Sequence, residues 1–425
     1  MNFVRNNRAW IVAGATFLVL ICAAAFRSTT SVLFMPIEME FGWTRTITAG
    51  AVGLNILVYG LTAPIAAVLM GRFGTKVVAL LSLLLIAGGT GLTLGMTQPW
   101  QLYLYWGVLV GMGTGCLALV FGAAVANTWF TKRRGLITGI FSASYATGQL
   151  LFLPTIANLS QTQGWRSASL IVTVFALALI PIFGFAFANS PAAVGSQPYG
   201  GPAPADAPKP PVTLKANWAA LKLALTRPAF WLLASTFFVC GWTTNGLIGA
   251  HFIPAAHDHG MPTTMAAGLL AVVGIFDFIG TIASGWLTDR FNPAYLLVAY
   301  YGLRGLALFS VPFVLGPDVQ PPLLFFVVFY GLDWIATVPP TVELCRKHFG
   351  VQNSPLIFGW VFASHMVGAA IASAFAGWIR DFQGDYFIAW IVAAVLCIAA
   401  AVASLWLKAD PKAQPKAEPQ TAPIA

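Results

Sequence analysis

An all-α membrane protein of twelve transmembrane helices, arranged as two six-helix halves related by a parallel pseudo-repeat, is the fold class this sequence predicts. Three observations predict it. The chain is 58% hydrophobic and only 8% charged over 425 residues, with a mean hydropathy of +0.79, and no soluble surface can be built from that. Apolar stretches follow one another from residue 9 to residue 407, each long enough, at about 20 residues, to cross a hydrocarbon core of about 30 Å as a helix. A Pro-rich interruption falls midway, and the sequence on its two sides repeats.

The first span, 9–35, follows Arg5 and Arg8. Its opening run, Ile11 to Phe26, also fits a secretory signal with a small-residue cleavage site near Ala25; a first transmembrane helix explains the same residues and is needed for an even helix count. Turn signals then delimit 46–70, 77–97, 100–126, 135–157 and 166–188. The fourth span carries Gly107, Gly111, Gly115 and Gly122 at spacings of four or seven, which lets a neighbouring helix come close. From 189 to 228 the chain reads as a non-helical cytoplasmic linker, because Pro202, Pro204, Pro208, Pro210 and Pro211 crowd it. Six more spans follow at 229–256, 263–287, 294–314, 322–343, 354–377 and 386–407, then a short Pro-rich tail, 408–425, read as disordered. The expected organisation is thus an N-terminal half (1–188), the linker, a C-terminal half (229–407) and the tail.

Positive charge sets the orientation. With the N-terminus cytoplasmic, 17 of the 22 Lys plus Arg, from Arg5 and Arg8 to Lys412 and Lys416, face the cytoplasm. Arg45, Arg166 and Arg380 fall in outside loops, and Arg27 and Arg304 lie within the membrane. This bias predicts a multi-pass protein of the inner (plasma) membrane with both termini and the linker cytoplasmic. The net charge of +9 then reflects topology and not nucleic-acid binding.

The halves match at two places. Leu136 to Gly148 aligns without gaps on Leu356 to Gly368, sharing Leu, Ile, Gly, Ala, Ser and Gly, and in both cases the helix follows a basic loop. Arg72-Phe73 and Arg290-Phe291 match at nearly the same offset. Both pairs keep their orientation, so the repeat axis runs along the membrane normal and a solute is expected between the halves near the midplane.

Catalysis has no visible machinery. H-E-x-x-H, G-x-S-x-G and P-loop motifs are missing from the sequence, so neither an enzyme nor an ATP-driven pump is expected. The five cysteines form no C-x-x-C pair, and neither a disulfide framework, a metal site nor a cofactor is indicated.

Ionisable groups at membrane depth cost about 2.5 to 3.5 kcal/mol each, so they mark tasks or partners. Arg27 lies in the outer part of the first span, and its guanidinium suits bidentate recognition of a carboxylate. Asp277, Arg304, Asp333 and His365 lie near the middle of spans 8, 9, 10 and 11. Asp277 either carries a proton or bridges permanently to Arg304; Asp333 and His365 either hydrogen-bond to one another or pack separately. Tyr59, Asn55, Tyr145, Gln149 and Asn245 either line the path or join helices.

Gly285-Trp286-Leu287-Thr288-Asp289-Arg290-Phe291, after the eighth span, resembles the G-x-x-x-D-R-x-G-R-K loop of the major facilitator superfamily. The matching loop after the second span keeps Arg72, Gly74 and Lys76 but has Ala67, Gly71 and Thr75 where that pattern has glycine, aspartate and a basic residue. This resemblance implies a cytoplasmic gate at Arg72, Asp289 and Arg290. Phe41-Gly42-Trp43-Thr44-Arg45, Trp129-Phe130-Thr131-Lys132-Arg133-Arg134-Gly135 and Gly164-Trp165-Arg166 are similar to the monocarboxylate transporter and oxalate-formate antiporter branches along most of both halves. By that resemblance Arg27-Ser28 takes part in substrate binding, and Asp277 matches a functional aspartate whose arginine partner, four residues on, is here Thr281. The expectation is a monomeric secondary transporter of a small organic anion, monocarboxylate-like and driven by proton symport through alternating access. Substrate binding falls to Arg27, Tyr59, Tyr145, Asn245 and His365, and proton coupling to Asp277, Arg304 and Asp333. Carboxylate exchange, or export of a neutral or drug-like solute, is the alternative.

Overall fold

The structure, a computed structural model, describes residues 7–201 and 214–407. Pro202, Pro204, Pro208, Pro210 and Pro211 of the linker and the tail lie outside the described residues, as do the side chains of Ser28, Tyr145 and Gln149. Six long helical segments precede the linker: α1 (Arg8–Phe41), α2 (Arg45–Phe73), α3 (Thr75–Leu92), α4 (Pro99–Trp129), α5 (Arg134–Gln163) and α6 (Trp165–Ala186). Six follow it: α7 (Pro228–Asp258), α8 (Thr263–Thr288), α9 (Pro293–Val314), α10 (Pro321–Gly350), α11 (Asn353–Gln383) and α12 (Phe387–Ser404). Among the described residues, ten segments are long and apolar enough to cross a membrane, and α7 with the helix bent away from its start makes an eleventh. The twelfth, α5, has the length at 30 residues but carries Thr138, Ser142, Ser144, Thr147 and Thr155 among its apolar residues.

Tight turns join the spans. Gly42 (φ 68°) ends α1 with its N–H on the Glu38 carbonyl, and Gly74 (φ 86°) ends α2 with its N–H on Met70; both need the left-handed freedom of glycine. Between the halves, α2 lies along α11, α5 along α8 and α1 against α7. Glycine permits the α2–α11 approach: a Cβ at Gly53 would stand 2.8 Å from the Ala370 carbonyl oxygen, and one at Gly377 2.9 Å from that of Arg45. Gly107, Gly111 and Gly115 of α4 face α2, where a Cβ at Gly107 would meet Leu54 at 2.8 Å and one at Gly115 the Tyr59 carbonyl oxygen at 2.8 Å, whereas one at Gly122 would meet Phe141 of α5 at 3.3 Å.

Three features depart from the sequence reading. First, α1 continues to Phe41 and α11 to Gln383, beyond the ends expected at 35 and 377, so both project past a bilayer's core. Second, the linker is not helix-free. No proline falls between Pro211 and Pro228, and Leu214–Leu225, rich in Leu, Ala and Lys, forms a helix. Third, α10 is broken: Asp333 is followed by a turn, Trp334–Thr337, before helix resumes at Val338. Pro339 and Pro340 cause it, because neither has an N–H to offer the carbonyls of Ile335 and Ala336 and their rings crowd the preceding turn.

Candidate functional site

Between the halves lies a cavity of about 30 Å³, room for roughly two waters. Its walls come from both halves: Arg27, Thr30 and Ser31 of α1, Asn55 of α2, Leu153 of α5, Asn245 and Gly249 of α7, and Leu270 of α8. The Arg27 guanidinium lies over the Tyr59 ring, 4.6 Å from its centroid, a cation–π contact that fixes its direction. Asn55 donates its Nδ2–H to the Trp106 carbonyl at 2.6 Å. Asn245 stands in a wide-turn stretch, Trp242–Ile248, of the kind that re-aims side chains at functional positions. Its Nδ2 is 3.1 Å from His365 Nε2, and the His365 ring packs between Phe237 and Phe362, at 4.8 and 5.7 Å between centroids. Of the expected substrate ligands, then, Arg27 and Asn245 line the cavity, while Tyr59 and His365 back them. Tyr145 is on α5, its side chain outside the described residues.

The buried charges are arranged around the α10 break. Arg304 Nε pairs with Asp333 Oδ2 at 2.5 Å, so of the two alternatives weighed for Asp277, the permanent bridge to Arg304 is not the one made. The rest of the guanidinium is also used: Nη2 donates to the carbonyls of Asp333 (2.5 Å) and Trp334 (3.2 Å), and Nη1 to Cys240 Sγ (3.3 Å) and Thr243 Oγ1 (3.4 Å). All five donors of the arginine find acceptors. Asp277 Oδ1 accepts the Ile335 N–H at 3.0 Å and the Thr281 hydroxyl at 3.2 Å, and Ser284 donates to the Ala336 carbonyl at 2.5 Å. The Ile335 N–H and the carbonyls of Asp333, Trp334 and Ala336 thus gain side-chain partners, and the Ile335 carbonyl accepts the Val338 N–H at 2.9 Å, as a non-helical stretch at membrane depth requires. Asp333 points to Arg304 and not to His365, whose partner is Asn245, so the hydrogen bond weighed for that pair is not made.

A second polar cluster joins the halves at the end away from the linker. The α2 N-terminus has no side-chain cap of its own. Asp381 of α11 supplies one, accepting the N–H of Arg45 at 3.0 Å, the N–H of Thr46 at 2.7 Å and the Thr46 hydroxyl at 2.5 Å. A carboxylate there satisfies orphan amides and meets the positive end of the helix dipole. Arg45, 6% exposed, pairs through Nε with Glu38 at 2.8 Å and donates Nη1–H to the Tyr386 hydroxyl at 2.5 Å. His251 lies 3.2 Å from that hydroxyl and 2.9 Å from the Ser373 carbonyl, and Ser373 donates to Ala49 of α2 at 3.1 Å. Sequence reasoning left Arg45 as a loop charge and did not single out Asp381.

At the linker end, Arg72 lies 5.3 Å over the Phe73 ring, Arg290 lies 4.0 Å over the Trp286 ring and donates to its carbonyl, and Asp289 caps α8. All three are exposed, and among the described residues none of them forms an ion pair. The halves are thus tied together by hydrogen bonds at the far end, and these three residues add no ion pair at the linker end. An Asp381→Ala variant is expected to loosen that tie. A cysteine at Ser31 should then react at least tenfold faster with an impermeant thiol reagent supplied from the far end, since charge-assisted hydrogen bonds contribute about 1.5 to 3 kcal/mol each. Unchanged labelling would show that this carboxylate does not hold the far end shut.

Comparison with known proteins adds family context. Residues 16–354 match the model of the Major Facilitator Superfamily. Human monocarboxylate transporter 11 is 28% identical over 407 residues, covering 92% of this chain and 81% of that protein. Rat monocarboxylate transporter 12 is 26% identical, covering 92% and 84%, and an uncharacterized MFS-type transporter of Bacillus subtilis is 24% identical, covering 93% and 94%. Among solved structures, a bacterial homolog of the human lysosomal transporter Spinster, inward-facing and unoccupied, superposes with a TM-score of 0.66 at 15% identity over 94% of this chain and 95% of that one.

Proposed function

This chain belongs to the Major Facilitator Superfamily and is a transporter related to monocarboxylate transporters; from that premise we propose that it carries a small organic anion, monocarboxylate-like, in symport with protons. The observation that carries the reading is Arg27 in the wall of the inter-half cavity. Around the guanidinium are hydroxyl and amide groups of Thr30, Ser31, Asn55 and Asn245, and among the described residues no carboxylate lines the cavity. Such a wall favours an anion, which gains a charge-assisted fork, and disfavours cationic cargo. The relatives named for monocarboxylates support the same substrate class.

Transport proceeds by alternating access. Opening the far end separates Asp381 and Tyr386 from α2, and closing the linker end brings the loops of Arg72, Asp289 and Arg290 together. The bias of basic residues to the linker side supports a cytoplasmic linker in a plasma membrane. Asp277 is the proton site: Arg304 is committed to Asp333 and the α10 break, whereas Asp277 holds one backbone N–H and one hydroxyl. Protonation of Asp277 would loosen its hold on Ile335 and so couple to movement of α10. A single cavity suffices for a monomer.

The test is uptake of labelled mono- and dicarboxylates into proteoliposomes, with and without an inward proton gradient. Stimulation by the gradient for one acid is the expected result; no carboxylate uptake under any gradient overturns the substrate class, and uptake only into vesicles preloaded with a second acid points to exchange. Asp277→Asn keeps an acceptor for the Ile335 N–H while removing the titrating proton. It is expected to lose the gradient stimulation and keep substrate exchange at equal pH; retained stimulation would place the proton elsewhere.

A further inference from the structure

The helix Leu214–Leu225 is not a span. It meets α7 at an angle of 101°, with Arg227 extended and Pro228 opening α7. A helix at right angles to a spanning one runs along the membrane surface, here at the linker end. One face is protein-covered, with Ala220 and Ala224 buried where the helix packs on the α10–α11 segment. Away from it stand Lys215 and Lys222, both exposed, and Arg227 is exposed at the bend. One flank is apolar: Trp218 is 55% exposed, Leu225 42% and Trp231, on the first turn of α7, 58%. Trp231 donates its indole N–H to the Leu225 carbonyl at 3.1 Å, tying the flank to the start of the span. Trp218 in turn rests against Trp360 of α11, 5.8 Å between centroids.

The charges on this surface are of one sign. No acidic residue occurs between Asp206 and Asp258, and among the described residues Lys215, Lys222 and Arg227 form no ion pair. Glu343, on the neighbouring α10, is already paired with Arg346 and Lys347 of its own helix. Tryptophans beside a row of cations, on a helix at right angles to a span and at its mouth, match the acyl–headgroup boundary in polarity.

We propose that this lateral helix is a binding surface for anionic phospholipid in the linker-side leaflet. Trp218, Leu225 and Trp231 enter the acyl boundary, and Lys215, Lys222 and Arg227 meet the headgroup phosphates. Bound there, lipid would anchor the base of α7 and the α10–α11 segment, giving the C-terminal half a fixed footing at the membrane surface. The inference depends on the fold alone and stands whatever solute is carried.

Native mass spectrometry of the full-length protein, released from micelles of equimolar phosphatidylglycerol and phosphatidylcholine, tests it. Wild type is expected to retain phosphatidylglycerol in preference to phosphatidylcholine. The triple variant Lys215→Gln, Lys222→Gln, Arg227→Gln should reduce that preference at least tenfold, within the roughly hundredfold that three cations near an anionic surface can confer. A Lys215→Arg, Lys222→Arg, Arg227→Lys variant should keep it, which separates charge from folding. Equal retention by wild type and the Gln variant overturns the proposal and leaves the surface to a soluble acidic partner or to the chain's own Asp206.

Discussion

Replacing Arg304 with leucine is expected to cost about 3 to 5 kcal/mol of stability, because it leaves the Asp333 carboxylate buried without its counter-charge. The side chain is fully buried; the Trp334 carbonyl loses its donor with it and the Asp333 carbonyl keeps only the Ala336 N–H at 3.3 Å. Thermal unfolding of the purified protein in detergent measures the effect. Arg304→Lys keeps the charge but cannot reach in all the directions the guanidinium does, so it should recover only part of the loss. Arg304→Leu combined with Asp333→Asn should be more stable than Arg304→Leu alone, yet below wild type, since the Trp334 carbonyl still lacks its donor. A single variant as stable as wild type would mean that the break in α10 is not held by this arginine.

Arg27→Ala is expected to lower uptake of the carried acid by roughly 10- to 100-fold at limiting concentration, the value of one or two hydrogen bonds to a charged group. Thermal unfolding in detergent checks that folding is intact, as expected for a side chain in a cavity wall with its guanidinium over Tyr59. Arg27→Lys retains the charge without the fork, and should raise KM while leaving part of the maximal rate. Uptake of a neutral solute that survives Arg27→Ala while carboxylate uptake fails would tie the residue to charge recognition. Full carboxylate uptake by Arg27→Ala would remove Arg27 from the site.

The fold was legible because a bilayer leaves few choices. Runs of about 20 apolar residues become spans, basic residues mark one side, and Leu136–Gly148 against Leu356–Gly368 reveals the duplication. The candidate site was half legible. Arg27 could be placed inside the membrane by depth while Asn245 was left between lining the path and joining helices, and the structure puts both in the cavity wall. Depth does not give azimuth, however, and azimuth decided that Arg304 takes Asp333 and that His365 takes Asn245. Two signals were present but weighed too little: Pro339-Pro340, which cannot continue a helix, and the Leu, Ala and Lys content of Leu214–Leu225. The pairing of Asp381 with the start of α2 carried no local signal at all. The two residues are separated by most of the chain, and charges at the ends of spans ordinarily meet water.

That borrowed cap makes the backbone itself an indicator of state. The amides of Arg45 and Thr46 are held by a carboxylate belonging to the other half, so their protection from solvent deuterium depends on whether the halves touch at that end and not on the integrity of α2. In an exchange experiment these two sites should be slow while the far end is closed and fast once it parts, with the turns further along α2 unchanged. Two peptide hydrogens would then report the conformational cycle of the carrier without any label, substrate analogue or mutation.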